Sequence, residues 1–212
     1  MKTKRLALYC LLGLMTGCVP ILSLHPLFTK EDIVFDEKLL GTWLEDVNSP
    51  EASWEFARLT EDSAANLPEE LKGETGRLYR LNMSDKEGHK GSFVVCLVKL
   101  GDRRFLDVFP DVLPSGEPDI EKSKLLFNVV LLVRAHTFIR ADSVGDQLKI
   151  AMTNDDEFKK LTDAEPKAVQ FTLADDRTIL TGSTKELQAF VTKYAEDKRL
   201  FSTELTLGRK AK

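Results

Sequence analysis

The sequence predicts a mainly β protein in which eight to ten short strands form an antiparallel barrel, accompanied by two helices. Three observations indicate this fold. Many short segments alternate apolar with polar residues, as half-buried strands do. The pairs Gly101-Asp102 and Gly145-Asp146 separate such segments, which is typical of antiparallel hairpins. Helical patterns occur late in the chain, near residues 155–161 and 184–195.

The chain begins with a pattern typical of a secretory signal peptide. Three basic residues among the first five positions precede an uncharged run at residues 6–15, and Thr16-Gly17-Cys18 follows it. This order resembles the lipobox of bacterial lipoproteins. The resemblance implies that the Cys18 thiol receives a diacylglyceryl group, that the chain is cut after Gly17, and that the new amino terminus is acylated.

Two alternatives remain open for this segment: an ordinary secretory signal cleaved near Cys18, and an uncleaved helix that spans a membrane. Residues 6–24 carry no formal charge and approach the length of about 20 residues that a spanning helix needs. Pro20 argues against such a helix because it removes a backbone hydrogen bond and kinks the chain. Val19 stands where an aspartate would resemble an inner-membrane retention signal. By analogy with Gram-negative lipoproteins, we expect the outer membrane of the cell envelope, on its periplasmic side.

The segment after Cys18 is apolar and contains Pro20 and Pro26. Such side chains favour the membrane interface or the body of the domain over water. We therefore divide the chain into a signal peptide at residues 1–17, a lipidated apolar tether at 18–31, and a single β-barrel-like domain at 32–212. We expect the domain to be held close to the bilayer.

Two short helical turns precede the first strand. Thr29 and Asp32 form a capping box for one turn, and Asp36 begins the second, which Gly41 ends. Residues 125–133 fit either a helix or a strand, and their valine and leucine content favours a strand. The predicted strands cover residues 42–45, 53–59, 77–83, 92–100, 104–109, 125–133, 137–141, 147–152, 168–174, 178–181 and 200–207, the last as an edge strand.

The two helices have recognisable start signals. Thr153 or Asn154 is the candidate N-cap of the short helix near residues 155–161. Ser183 and Glu186 form a capping box at the start of the second helix. The apolar stripe of that helix consists of Leu187, Phe190, Val191 and Tyr194.

Residues 39–43, Leu-Leu-Gly-Thr-Trp, join a helical turn to a Gly-x-Trp motif on the first strand. This motif resembles the opening of the lipocalins and related calycin barrels, and the helix near residues 184–195 resembles the one that lipocalins pack outside their barrel. The resemblance implies a lipocalin-like barrel, one end of which is closed by Trp43. It also implies a closing arginine, for which Arg177 is the candidate. The order of segments also resembles that of uncharacterised bacterial lipoproteins.

Charge and cysteine content restrict the function further. The precursor carries a net charge of −4, and the predicted signal peptide removes basic residues, so the mature chain is more acidic. An acidic chain without a basic cluster argues against binding to nucleic acid. Cys10 leaves with the signal and Cys18 is alkylated, which leaves Cys96 without a disulfide partner. Cys96 lies in residues 92–100, which are apolar on both faces, and we interpret it as a small core residue.

The sequence offers little sign of catalysis. It contains no nucleophile elbow, phosphate-binding loop or dinucleotide-binding motif. Its three histidines lack the spacing of metal ligands. The acidic residues at 155–157 fit the first turn of a helix better than a calcium loop. We therefore expect no catalytic residue, no metal and no cofactor.

Asp107 is the acidic residue with two opposed interpretations. It shares a strand face with Phe105 and Phe109. If this face points inward, Asp107 is a buried carboxylate and a candidate functional group. If it points outward, Asp107 is a solvated acid with Arg134 or Arg140 as its candidate partner. The second interpretation is preferred.

The sequence thus predicts a non-enzymatic envelope lipoprotein that contacts the membrane through Cys18. Its barrel is expected to bind a small apolar or amphipathic ligand. The alternative is a filled barrel that serves as a structural or protein-interaction module of the envelope, because eight strands leave just enough room for side chains. An enzyme is the least favoured class. The candidate ligand-binding residues are Trp54, Phe56, Tyr79, Phe93 and Phe105.

Overall fold

The computed structural model describes residues 20–46, 50–60, 67–111, 133–144, 146–175 and 177–210 of the 212-residue chain. Cys18, the predicted signal peptide and nearly all of the predicted strand at residues 125–133 lie outside the described residues. The strands are β1 (Leu22–Ser23), β2 (Ile33–Val34), β3 (Gly41–Leu44), β4 (Ser53–Arg58), β5 (Tyr79–Ser84), β6 (Lys90–Leu100), β7 (Arg103–Pro110), β8 (Thr137–Val144), β9 (Gln147–Thr153), β10 (Phe171–Ala174), β11 (Arg177–Leu180) and β12 (Phe201–Arg209). The described part of the chain contains the helices α1 (Asp155–Ala164) and α2 (Thr184–Lys193) and single-turn 3-10 helices at Glu37–Leu39, Glu69–Leu71 and Thr75–Arg77.

Eight of these strands close an antiparallel barrel, as the sequence predicts. β3 to β9 follow one another around the barrel in chain order, and β12 completes the ring between β9 and β3. Closure rests on the pairs Gly208–Leu44 and Arg209–Trp43. The prediction that residues 200–207 form an edge strand is wrong, because β12 has a barrel neighbour on each side.

Local turn signals place the hairpins where the sequence predicts them. Leu100 pairs with Arg103, so Gly101 and Asp102 connect β6 to β7. Gly101 has a φ of +59°, a left-handed conformation that glycine adopts without a steric cost. Val144 of β8 pairs with Gln147 of β9, so these strands form a second hairpin at the same end of the barrel. Gly145 of the predicted turn lies outside the described residues.

The chain between β9 and β12 packs outside the barrel. α1 begins at the cap Asn154, whose side chain accepts the Glu157 N–H, and α2 begins at the predicted capping box of Ser183 and Glu186. Between the helices, β10 and β11 form a small antiparallel sheet, to which β1 adds in parallel. Neither α1 nor α2, nor any other helix of the described residues, is long and apolar enough to cross a membrane.

Two hydrophobic cores result from the alternation of side chains along the barrel strands. The inner core fills the barrel with residues from all eight strands, such as Leu97 and Ile150. The outer core takes side chains from the opposite face, such as Phe105 and Phe138. It lies between the outside of the barrel and a layer formed by the segment before β3, α1 and α2. A barrel side chain that points outward can therefore still be fully buried.

Candidate functional site

The barrel interior brings together most of the residues predicted to bind a ligand. Trp54, Phe56 and Tyr79 are buried in the inner core, and Phe93 packs against it. Phe105 does not join them, because it points out of the barrel and packs against Phe201 in the outer core. Strand alternation explains the difference: Phe93 and Phe105 occupy opposite faces of the two strands.

Inner-core side chains from all eight barrel strands pack into one buried cluster among the described residues. The cavity lined by inner-core residues such as Leu97, Leu106 and Leu148 has a volume of about 10 Å³. This volume holds at most a single water molecule. Ligand sites for drug-sized molecules occupy several hundred Å³, so the cavity is far too small for a fatty acyl chain.

Tyr79 seals one region of the barrel against the segment that precedes β3. Its hydroxyl accepts the Asp36 N–H at 2.6 Å and donates to the Asp36 carbonyl oxygen at 3.0 Å. Its ring stacks on Phe35 with the centroids 4.7 Å apart. Burial, partly offset by the hydrogen bond to the Asp36 backbone, raises the pKa of Tyr79 to about 12. The phenol therefore stays protonated and acts as a structural hydrogen-bond donor.

Trp43 and Arg209 close the barrel end at which β3 begins. The indole N–H of Trp43 donates to the Leu39 carbonyl oxygen at 2.9 Å. The Arg209 guanidinium lies 4.2 Å from the centroid of the Trp43 ring. It also donates to the carbonyl oxygens of Leu40 and Lys38. The closing arginine is therefore Arg209 of the last strand.

The candidate Arg177 does not occupy this position, because it lies in β11 of the small sheet. Gly41 shows how tightly the closed end is packed. It has a φ of +114°, and a Cβ atom there would lie 3.0 Å from a guanidinium nitrogen of Arg209. Only glycine fits this junction without strain.

Asp107 is fully buried, so the preference for a solvated acid is wrong. Its side chain points out of the barrel, as expected, but the outer layer covers it completely. One carboxylate oxygen lies 2.6 Å from His136 Nδ1, and the other accepts the Leu27 N–H at 2.6 Å. The expected arginine partners are elsewhere: Arg140 pairs with Glu196, and the Arg134 guanidinium lies 5.6 Å from the Phe109 ring centroid.

His136 connects this buried carboxylate to a surface groove. A carboxylate oxygen that accepts this hydrogen bond requires the proton on Nδ1, and the contact with Asp107 then fixes the tautomer of the ring. The residue is 6% exposed and lines a groove of about 740 Å³. The other walls come from residues 24–30, residues 68–70 and Thr184. Sequence reasoning missed His136, because its partner lies on a different strand.

Cys96 is a buried core residue, as predicted. It pairs with Asp107 across β6 and β7. Burial, and secondarily the nearby Asp107 charge, raise the pKa of the Cys96 thiol well above its usual value. A thiolate nucleophile is therefore disfavoured at this position.

Among the described residues, Asp85, Glu87 and His89 form a group that could hold a metal ion. Both carboxylate oxygens of Asp85 are already engaged, one by His89 Nδ1 at 2.6 Å and the other by the His89 N–H at 2.7 Å. Burial alone would raise the pKa of Asp85, but these bonds outweigh it and lower the pKa. The arrangement is that of a side chain stabilising the turn between β5 and β6.

Residues 20–28 follow the predicted anchor residue Cys18 and are therefore called the anchor-proximal segment. This segment is built into the outer layer. Ile21 is 2% exposed, and its N–H donates to Thr153 Oγ1 at 3.1 Å. β1 pairs with β11 on one side and with His136 on the other. Leu27 is bound from two directions, since its N–H donates to Asp107 and its carbonyl oxygen accepts from Gln188.

Comparison of the chain with protein-family models, with curated proteins and with solved structures found no match.

Proposed function

We propose that this chain is a lipoprotein of the bacterial cell envelope, anchored by acylated Cys18 and facing the periplasm from the outer membrane. Its role is non-enzymatic: a filled barrel that acts as a structural or protein-interaction module next to the bilayer. The lipobox-like order of residues 1–18 motivates the anchor. Two or more acyl chains suffice for stable membrane attachment.

The burial of Ile21 is the observation that carries this proposal. Ile21 is 2% exposed and hydrogen-bonded to the body of the domain. Val19 and Pro20 alone separate it from Cys18. Three residue steps span at most about 11 Å, even when fully extended. A lipid on Cys18 would therefore hold the folded domain against the headgroups, in keeping with the expectation that the apolar tether at residues 18–31 keeps the domain close to the bilayer.

The filled interior supports the interaction module over a ligand carrier. The cavity of about 10 Å³ beside Leu97, Leu106 and Leu148 is too small for an apolar ligand, and Trp54, Phe56 and Tyr79 are buried in the same inner core. Binding of a small apolar or amphipathic ligand in the barrel remains the competing proposal. It requires the strands to separate or the aromatic side chains to change rotamer.

Replacement of Cys18 by serine tests the anchor. In a Gram-negative host, we expect Cys18→Ser to abolish lipidation and move the protein out of the membrane pellet. Cys10→Ser is the matched control, because it makes the same change inside the predicted signal and leaves the acylated residue intact. Unchanged cleavage together with unchanged membrane partitioning of Cys18→Ser would refute lipidation at this residue.

A further inference from the structure

The small sheet fixes where the chain leaves the domain toward Cys18. β1 runs parallel to β11, with Leu22 opposite Ile179, so Ile21 lies level with Thr178. Thr178 in turn lies opposite Leu173 of β10. Neighbouring strands are about 4.8 Å apart, so Leu173 lies about 10 Å to the side of the anchor-proximal segment.

The surface at this end of the sheet is apolar at β10, and several acidic residues and Arg177, which lies opposite Ala174, surround it. Leu173 is 68% exposed, and Ala174 beside it is also exposed. Asp175 follows in the turn, with a left-handed φ of +50°. Asp155, at the start of α1, accepts the Thr178 N–H at 3.2 Å, which brings the acidic first turn of α1 to the same end.

An exposed leucine on its own is ordinary. Leu173 is distinguished by its position beside Ile21, where the chain leaves the domain toward Cys18 and the proposed bilayer. β1 is hydrogen-bonded on both sides, so the anchor-proximal segment does not swivel freely. The short distance to Cys18 and this fixed direction together determine which end of the domain faces the lipid.

We propose that Leu173, Ala174 and Asp175, together with the first turn of α1, form a tip patch that rests on the bilayer. Leu173 enters the interface between headgroups and acyl chains, where amphipathic surfaces bind lipid. The acidic side chains accept hydrogen bonds from the ammonium groups of zwitterionic phosphatidylethanolamine, and anionic headgroups repel them. This proposal rests on the anchor proposed above and adds the orientation of the domain and the class of lipid it contacts.

Site-specific labelling tests the tip patch on the full lipidated protein. Leu173→Cys provides a thiol for an environment-sensitive dye, while Cys18 is acylated and Cys96 is fully buried. The protein is incorporated into phosphatidylethanolamine–phosphatidylcholine vesicles that carry a headgroup nitroxide quencher. Asp102→Cys is the control. Asp102 is exposed in the turn between β6 and β7, at the barrel end where β9 begins. Thr153 lies at the other end of β9, about 20 Å away. Ala174→Cys gives a second, independent position in the patch.

The expected result is quenching about threefold stronger at residues 173 and 174 than at residue 102, as for a group at the lipid interface. Replacing half of the lipid with anionic phosphatidylglycerol should reduce this difference. Equal quenching at all three positions in pelleted vesicles would overturn the tip patch while leaving the anchor intact. Protein that remains in the supernatant would overturn both proposals. Stronger quenching with anionic lipid would overturn the assigned headgroup chemistry.

Discussion

At the scale of single residues, the outer core depends on Asp107. This carboxylate joins three parts of the chain, because it lies on β7, accepts the Leu27 N–H and holds the His136 ring. A carboxyl group this deeply buried is tolerated only when both oxygens are hydrogen-bonded. Asp107 therefore ties the anchor-proximal segment to the barrel.

Asp107→Asn should lower the free energy of unfolding by about 3 kcal/mol, because it leaves a buried donor of His136 or Leu27 unpaired. Urea unfolding followed by tryptophan fluorescence measures this. Asp142→Asn on β8 is the control, since its side chain is 46% exposed, and its effect should stay within about 0.5 kcal/mol. Equal effects of the two substitutions would contradict the assigned role of Asp107.

The raised pKa of Tyr79 predicts that the stability of the fold depends on pH in the alkaline range. Its pKa is about 12 in the folded protein, against an ordinary value of 10.0, so the folded state keeps the proton to higher pH. The stability it contributes is complete below pH 10. It falls by about 1.4 kcal/mol per pH unit as the pH rises toward 12.

Tyr79→Phe removes this slope and, at neutral pH, costs about 1 to 2 kcal/mol for the lost bonds to Asp36. Unfolding curves of the wild type and of Tyr79→Phe at several pH values between 9 and 12 test this difference. Every other ionisable group is common to the two proteins, so the difference between the curves isolates Tyr79. Parallel curves across this range would contradict the buried, protonated phenol.

At the scale of elements, β12 closes the barrel with very few pairs to β3. Two residue pairs join the strands, and Arg209 adds two hydrogen bonds to backbone carbonyls and a contact with Trp43. The contacts of the Arg209 side chain thus compensate for the small number of backbone pairs between β12 and β3. Closure of the barrel at this edge depends on the planar guanidinium.

Arg209→Lys should therefore destabilise the domain by about 1 to 2 kcal/mol, since lysine keeps the charge but cannot bridge two carbonyls while covering the indole. Arg177→Lys, at the candidate position from the sequence, is the matched control and should be close to neutral. Thermal unfolding of both variants compares them. A larger loss for Arg177→Lys would show that the closing arginine is misassigned.

Elements with local signals were predictable, and contacts between distant elements were not. Ser183 and Glu186 cap α2, and Gly101 turns β6 into β7, through interactions that span only a few residues. Asp107 was misjudged because Leu27, which helps bury it, lies 80 residues away. Arg209 contacts Leu40 across 169 residues, and no periodicity in a single segment reveals such a partner. The alternation of apolar and polar residues predicts on which face of a strand a side chain lies. It does not predict which distant segment packs on that face.

At the scale of the whole molecule, the proposed function treats the barrel as a filled support and the outer layer as its link to the membrane. The cavity among inner-core residues such as Leu97 and Leu106 is about 10 Å³, and the outer core includes Ile21, Leu27 and Phe28 of the anchor-proximal segment. The proposal therefore places the surfaces for partners on the outside of the domain, next to the bilayer. This division agrees with an interaction module better than with a ligand carrier.

Trp54→Ala distinguishes the two roles. In a filled core it creates a cavity and should cost about 3 to 5 kcal/mol. The wild-type protein should give no signal with a fluorescent fatty acid, whereas a carrier would bind it and lose that binding on substitution. Leu173→Ala, at an exposed position, is the stability control and should cost less than about 0.5 kcal/mol. Saturable binding of the probe by the wild type would contradict the filled barrel.

The intact mass of the native protein, extracted from membranes with detergent, tests the central claim most directly. The account predicts a polypeptide that begins at Cys18 and carries the added mass of a diacylglyceryl group and an amide-linked acyl chain. A chain that begins elsewhere, or a free thiol on Cys18, would contradict it.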